Sequence, residues 1–202
     1  MLLQIKKLSK VLKPLGKRLS KIPANYITIG GLFCALITFF GFYFQFLPLI
    51  IIFLFLTELF DQLDGIVARV QGPTQFGGFL DSTLDRYGDF VILIGILFSG
   101  YTTLSIALIT LIGALMTSYT RARIEAAGIK DLYGIGLLER TDRIPILLIG
   151  SIFQIWFDWF LFWTMIFMAI GTNITALQRI LYAYKHLSHE KKDSEEYEKE
   201  NM

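Results

Sequence analysis

Residues 61–85 read DQLDGIVARVQGPTQFGGFLDSTLD, and this stretch decides how the chain is organised. It contains four aspartates, although the runs on either side of it, 47–60 and 90–98, consist almost entirely of apolar residues. Carboxylates beside hydrocarbon are costly, about 2.5–3.5 kcal/mol each at a bilayer centre, so the group needs compensating cations. The four aspartates are Asp61, Asp64, Asp81 and Asp85.

The spacing of these aspartates predicts two pairs, each on one face of a helix. Asp61 and Asp64 are three residues apart and Asp81 and Asp85 are four apart, which are the separations of neighbours on a helix surface. The Gly72-Pro73 step between the pairs ends one helix and starts the next, so two antiparallel helices can bring the carboxylates together. Capping of helix N-termini explains a single aspartate but not two pairs. Hard oxygen ligands select Mg²⁺, Mn²⁺ or Ca²⁺, so we predict a divalent metal site.

The composition places the rest of the chain in a membrane. Of 202 residues, 54% are hydrophobic, and they occur in long runs that a soluble domain would not contain. We therefore predict an all-α integral membrane protein with six transmembrane helices in one domain, residues 23–185. The predicted spans are roughly 27–46, 48–70, 78–98, 102–120, 144–156 and 159–181.

The distribution of charge predicts the orientation of these spans. Residues 1–22 alternate basic and apolar side chains at helical spacing, which predicts an amphipathic helix lying on the membrane surface. With six spans, all 19 Lys and Arg fall on the side that carries both termini, so that side is predicted to be cytoplasmic. The aspartates lie on the same side. The mixed charges of residues 186–202 predict a disordered cytoplasmic tail.

The aspartate stretch resembles a known family signature. The residues Asp61-x2-Asp64-Gly65-x2-Ala68-Arg69-x7-Gly77-x3-Asp81-x3-Asp85 fill every position of the pattern of the CDP-alcohol phosphotransferases. The resemblance implies a homodimeric enzyme of the cell membrane that displaces CMP from a CDP-linked lipid by attack of an alcohol. It implies two Mg²⁺ or Mn²⁺ ions on the four aspartates, with Asp85 as the base. The positions assigned to the CDP-lipid are Thr28, Asp61, Gly65, Ala68, Arg69 and Gly77.

Basic residues outside the signature bear on the acceptor alcohol. Arginine grips phosphate oxygens with two donors at once, but the same residues are also explained as anchors to lipid headgroups. The strings SYTRARIEAAG and GLLERTDR resemble the branch that makes phosphatidylinositol phosphate in actinobacteria and archaetidylinositol phosphate in archaea. That resemblance implies inositol phosphate as the acceptor. The positions assigned to its phosphate are Ser118, Arg121, Arg140, Arg143 and Arg179.

Several alternatives remain open at this level. Glycerol-3-phosphate or serine as the acceptor would keep the same chemistry, and the residues do not separate a diacyl lipid from an archaeal ether lipid. A divalent-cation transporter would need acidic residues along a path across the bilayer, whereas these cluster at one end. No nucleic-acid partner is predicted. Two further acidic residues, Glu58 and Asp89, lie one helical turn outside the aspartates and are interpreted as buried hydrogen-bonding partners rather than ligands.

Overall fold

Six helices follow residue 23 in the computed structural model, and the described part of the chain contains no strand. The structure describes residues 14, 16, 18–129, 132, 134–188 and the backbone of 189–200. The all-α prediction is thus confirmed for these residues. The helices are α1 (Ala24–Tyr43), α2 (Leu47–Gln71), α3 (Gln75–Ser99), α4 (Leu104–Ala126), α5 (Arg140–Phe153) and α6 (Phe160–Glu200).

The local sequence explains where the helices around the aspartates begin and end. α2 begins with a proline in its first turn, where a missing N–H is no loss, and ends at Gly72, whose φ of +94° suits glycine. α3 begins after Thr74, whose hydroxyl accepts a hydrogen bond from the N–H of Gly77 at 3.0 Å. The turn between them is therefore short, and it returns the chain so that Asp81 and Asp85 of α3 lie near Asp61 of α2.

Packing divides the helices into two groups. α1 packs along α2 and α3, while α4 packs along α6, and α5 contacts α2 and α6. The α1–α3 contact is close enough that a side chain at Gly95 would lie 2.8 Å from the Cα of Phe39. Threonines join α4 to α6, since Thr117 Oγ1 donates to Thr172 O at 3.0 Å and Thr110 Oγ1 to Met165 O at 3.4 Å. α5 therefore connects the aspartate-bearing group to the α4–α6 pair.

Among the described residues, three helices are long and apolar enough to cross a membrane: α1, α4 and the part Phe160–Ser188 of α6. α2 and α3 have 25 residues each but carry the acidic residues. α5 has 14 residues, about 21 Å of helix, which is shorter than a hydrocarbon core of about 30 Å. The prediction of six helices is confirmed, whereas membrane crossing by all six stays a prediction.

The predicted boundaries differ from the observed ones mainly around the polar segment 121–143. α4 continues to Ala126, six residues beyond the predicted end of its span, and α5 begins at Arg140 rather than at residue 144. Most of the predicted amphipathic helix, residues 1–22, lies outside the described residues, although residues 14, 16, 18 and 19 are helical. The backbone of α6 is helical to Glu200. The disorder predicted for residues 186–202 stays a prediction, because side chains after residue 188 lie outside the described part.

Candidate active site

Three of the four signature aspartates meet where α2 approaches α3. Asp61, Asp81 and Asp85 each offer a carboxylate oxygen, and these oxygens lie within 4.8 Å of one another. Asp81 and Asp85 reach this point from successive turns of α3, as their spacing predicts. Three carboxylates at this separation repel one another unless a cation lies among them, and they are the donor set that Mg²⁺ and Mn²⁺ prefer. The residues present therefore fit a divalent metal ion.

The fourth aspartate, Asp64, lies beside this group rather than within it. Asp64 is 4% exposed, and it lines two neighbouring cavities together with Thr28 of α1. We call the first the acidic cavity, because Glu58, Asp61, Asp85 and Asp89 line it. Asp64 thus shares the acidic cavity with Asp61 and Asp85, next to Thr28.

The second cavity, which we call the glycine-lined cavity, has a volume of about 300 Å³. The signature residues Gly65, Ala68 and Gly77 line it together with Asn25 and Thr74. Four of the residues assigned to the CDP-lipid, including Thr28, thus share one cavity, and Asp61 lines the adjoining one. Arg69 is exposed and does not line this cavity.

Arg140, the first residue of α5, contacts the aspartates directly. Its Nη2 donates to Asp61 Oδ1 at 2.9 Å, and its Nη1 lies 2.5 Å from Asp85 Oδ2. The Arg140 side chain is 33% exposed, whereas that of Asp85 is only 10% exposed. The sequence predicts that Arg140 binds the acceptor phosphate; in the structure its guanidinium lies against the carboxylates of Asp61 and Asp85.

Arg143, one turn further along α5, is buried beneath this contact. Its Nη1 donates to Asp89 Oδ2 at 2.8 Å and its Nη2 donates to the carbonyl of Ala114 on α4 at 3.0 Å. The pair is nearly dry, with side-chain exposures of 3% for Arg143 and 10% for Asp89. Arg143 thereby joins α3, α4 and α5. Asp89 and Glu58, interpreted from the sequence as buried hydrogen-bonding partners, both accept hydrogen bonds in partly buried positions, Glu58 from Gln62 at 2.9 Å. That neither of them is a metal ligand stays a prediction.

The remaining residues assigned to the acceptor lie on the cytoplasm-facing ends predicted for α4 and α6. Arg179 donates to the carbonyls of Thr117 at 2.7 Å and Ile135 at 3.0 Å, and its Nη2 lies 3.6 Å from Glu139. Ser118 is buried next to Thr117 on α4. The α4 turn 114–118 therefore brings Ser118 together with Arg143 and Arg179.

Arg121 is the most accessible of these arginines. Its side chain is 44% exposed, and its Nε donates to Glu125 Oε1 at 2.9 Å one turn further along α4. An exposed pair of this kind contributes little stability, so its guanidinium can exchange Glu125 for a phosphate at small cost.

Sequence reasoning missed which arginine pairs with which acid, and it missed Gln71. The pairings of Arg140 and Arg143 depend on α5 packing against α2 and α3, which no local pattern indicates. Gln71 hydrogen-bonds to the chain around residue 22, as described below, and a glutamine at a helix end carries no recognisable signal.

Comparison with known proteins places this geometry in a family. The model of the CDP-alcohol phosphatidyltransferase family matches residues 21–177 of the chain, which include every signature position. The chain belongs to this family. It is therefore a transferase, and its apolar helices are those of an integral membrane protein of lipid synthesis.

Two archaeal relatives match along nearly the whole chain. The archaetidylinositol phosphate synthase of Methanothermobacter thermautotrophicus is 39% identical over 180 residues, covering 88% of this chain and 91% of that protein. The archaetidylinositol phosphate synthase of Pyrococcus horikoshii is 40% identical over 185 residues, covering 90% and 95%.

Solved structures of one bacterial protein share the fold. The phosphatidylinositol phosphate synthase of Mycobacterium tuberculosis with CDP-DAG bound superposes with a TM-score of 0.77 at 27% identity, covering 87% of this chain and 94% of that one. The same protein in complex with manganese and citrate gives 0.76 at 28% identity, covering 85% and 88%. A divalent metal is thus consistent with both the carboxylate group described above and a structural neighbour.

Proposed function

We propose that this enzyme transfers the lipid phosphate of a CDP-linked lipid to inositol phosphate and releases CMP. The observation that carries the proposal is the contact of Arg140 with Asp61 and Asp85, because it brings one of the arginines assigned to the acceptor phosphate against the carboxylates assigned to the metal. The names of the two archaeal relatives and the CDP-DAG in the mycobacterial structure support the same substrates.

The two substrates are assigned to two different parts of the site. The glycine-lined cavity takes the cytidine end of the CDP-lipid, since Gly65, Ala68 and Gly77 leave room beside the carboxylates. We assign two divalent ions to Asp61, Asp64, Asp81 and Asp85, and when bound they neutralise the pyrophosphate and the departing CMP. Arg69 is assigned to the lipid phosphates from the exposed side.

The acceptor phosphate is assigned to Ser118, Arg121, Arg140, Arg143 and Arg179. When inositol phosphate is held by these residues, a hydroxyl of its ring attacks the phosphorus atom that carries the lipid group. A new phosphorus–oxygen bond forms as the bond to the CMP oxygen breaks, and Asp85 accepts the proton of the attacking hydroxyl. The side chain of Asp85 suits this role because it is largely shielded from water, and a carboxylate in such surroundings accepts a proton more readily than one in water.

The proposal includes an arrangement in the membrane. We propose that all six helices cross or enter the bilayer, that residues 1–22 lie on its cytoplasmic surface, and that the site opens to the cytoplasm. With six spans, all Lys and Arg residues fall on the side that carries both termini, and this distribution supports the proposed orientation. We also propose a homodimer in the cell membrane.

The test is release of CMP by the purified enzyme with Mg²⁺. CDP-archaeol and CDP-diacylglycerol are each offered with inositol phosphate, with glycerol-3-phosphate, with serine and with no acceptor. We expect release that depends on inositol phosphate, and the lipid giving the higher kcat/KM identifies the lipid class. Release only with glycerol-3-phosphate or serine would refute the acceptor assignment while leaving the transferase chemistry in place.

A further inference from the structure

We propose that Gln71 is a positioning residue that fixes one wall of the glycine-lined cavity for the cytidine nucleotide, an inference that rests on the proposed function. Gln71 is the last residue of α2. Its Nε2 donates to the carbonyls of Ser20 at 2.9 Å and Ile22 at 2.7 Å, and its Oε1 accepts from the N–H of Ala24 at 3.1 Å. One side chain thus binds the segment 20–24 at three points.

These bonds involve both the donor and the acceptor end of the amide and use three of its four hydrogen-bonding sites. A glutamine amide has two N–H donors and one oxygen, and here both kinds of atom reach main-chain groups 47 to 51 residues away in sequence. The contact also replaces a missing helix cap. Ala24 is the first residue of α1, and the preceding Pro23 gives no side-chain cap, so the N–H of Ala24 would otherwise lack a partner.

The segment held by Gln71 leads directly into the cavity wall. Pro23, Ala24, Asn25 and Thr28 line the glycine-lined cavity on the α1 side, and Gln71 itself lines it as well. The opposite wall is formed by α2 and by the start of α3. The amide of Gln71 therefore determines how far the α1 wall stands from the glycines of the signature.

Apolar packing holds only part of this segment. Leu19 and Ala24 pack against the small apolar cluster of Ile27, Leu63, Ile66 and Val67, which holds the segment against α2, but the cavity-lining Pro23, Asn25 and Thr28 take no part in that packing. The Gln71 bonds lie in an exposed position, where hydrogen bonds contribute modestly to global stability. Loss of these hydrogen bonds should make the cavity wider or its wall less well ordered without unfolding the protein.

The ligand class follows from the cavity. A volume of about 300 Å³, glycine and alanine along one wall, and the side chains of Asn25 and Thr74 at its edge suit a flat polar base with its sugar. The acceptor assigned above binds on the other side of the carboxylates, against α4 and α6. A defect in the α1 wall should consequently affect the nucleotide and spare the acceptor.

The experiment compares Gln71→Leu, which removes all three bonds at similar size, with Gln75→Leu as the matched control. Gln75 is exposed at the start of α3, only four residues away, and does not line the cavity. We expect Gln71→Leu to raise the KM for CDP-lipid and the Kd for CDP, measured by calorimetry, about tenfold, with kcat and the KM for inositol phosphate within about twofold. Gln71→Glu keeps the acceptor for Ala24 but sets a carboxylate oxygen against the carbonyls of Ser20 and Ile22, so it should raise both constants as well.

Two results would overturn the proposal. One is a Gln71→Leu enzyme whose KM for CDP-lipid and Kd for CDP equal those of Gln75→Leu. The other is an equal rise of the KM for CDP-lipid and of the KM for inositol phosphate in both Gln71→Leu and Gln71→Glu, together with a lowered unfolding temperature. That result would indicate a structural role only. A failure of the proposed function would be distinguishable from these results. A wild-type enzyme that binds CDP but releases no CMP would contradict the proposed function, and the calorimetric comparison would still decide the role of Gln71.

Discussion

Replacing Arg140 by glutamine should strengthen divalent metal binding, because Arg140 and a metal ion use the same carboxylates. The Arg140 guanidinium lies 2.9 Å from an oxygen of Asp61 and 2.5 Å from an oxygen of Asp85. Both oxygens belong to residues of the three-carboxylate group. A metal ion coordinated by these carboxylates has to displace the guanidinium from them or accept a positive charge at close range.

The size of the effect can be estimated from these two contacts. A hydrogen bond between charged groups contributes about 1.5–3 kcal/mol net, and Arg140 and Asp61 are each about one-third exposed, so solvent weakens their contact. If metal binding breaks the equivalent of one full contact between Arg140 and a carboxylate, the free energy of metal binding should be more favourable by about 1.5–3 kcal/mol in a variant that lacks Arg140. At about 1.4 kcal/mol per factor of ten, the Kd for Mn²⁺ should fall by about ten- to a hundredfold.

The assay is a titration of detergent-solubilised enzyme with Mn²⁺, in which electron paramagnetic resonance reports the free ion. Any lost positive charge near acidic groups raises cation affinity somewhat, so a charge-matched control is needed. Arg86→Gln provides it, because Arg86 follows Asp85 directly on α3 but donates to the carbonyl of Ser82 in its own helix. The difference between the two variants isolates the direct contact of Arg140.

The reasoning is refuted if Arg140→Gln binds Mn²⁺ no more tightly than Arg86→Gln does. Weaker binding in Arg140→Gln would show instead that the guanidinium holds the carboxylates in a metal-binding arrangement. The KM for inositol phosphate, measured on the same protein at saturating metal, should rise, because the variant also lacks a donor assigned to the acceptor phosphate.

Three further predictions concern the base, the buried pair and the exposed arginine. Asp85→Asn should lower kcat by at least about a hundredfold with an unchanged unfolding temperature, and normal turnover in that variant would remove Asp85 from the role of base. Arg143→Leu alone should destabilise the protein by about 3–5 kcal/mol, whereas combining it with Asp89→Leu should recover most of that loss in thermal unfolding; additive losses would argue against the pair. Arg121→Gln should raise the KM for inositol phosphate and leave stability within about 0.5 kcal/mol, and an unchanged KM would assign Arg121 to the membrane surface.

The parts of the fold that could be predicted from sequence are those governed by local pattern. The six apolar runs locate the helices, and the Gly72-Pro73 step locates the turn between α2 and α3. The start of α5 could not be located in this way. Residues 139–143 are mostly charged, which predicts a polar loop, yet Glu139 and Asp142 are buried and the N–H of Glu139 donates to Asp142 Oδ2 at 3.2 Å. Charged residues that satisfy one another inside the protein have the same sequence pattern as charged residues in water.

In the candidate site, too, local sequence pattern predicts some features, whereas others depend on how the helices pack. The spacing of the aspartates correctly places Asp81 and Asp85 on one face of α3, since helix periodicity determines which side chains share a face, and the predicted turn at Gly72-Pro73 returns α3 toward Asp61. The spacing does not show that Asp64 is set apart beside Thr28, because that depends on how α1 packs against α2. Gln71 is a stronger example, since its three partners lie some 50 residues earlier in the chain and only the folded structure brings them near.

The pairing of the arginines gives a reason for the order of charges along α3. Asp81, Asp85 and Asp89 follow one another at four-residue intervals, and they therefore form one acidic stripe. Arg143 neutralises Asp89 in a buried pair and leaves Asp85 to the less buried Arg140, so the stripe changes from a fixed ion pair to an exchangeable one within a single turn. A carboxylate that must alternately face a cation, a substrate hydroxyl and a proton needs a partner that can leave. Arg140, one-third exposed at the start of its helix, can leave Asp85 for an acceptor phosphate, whereas the buried Arg143 stays paired with Asp89 and acts on the acceptor region from a fixed position.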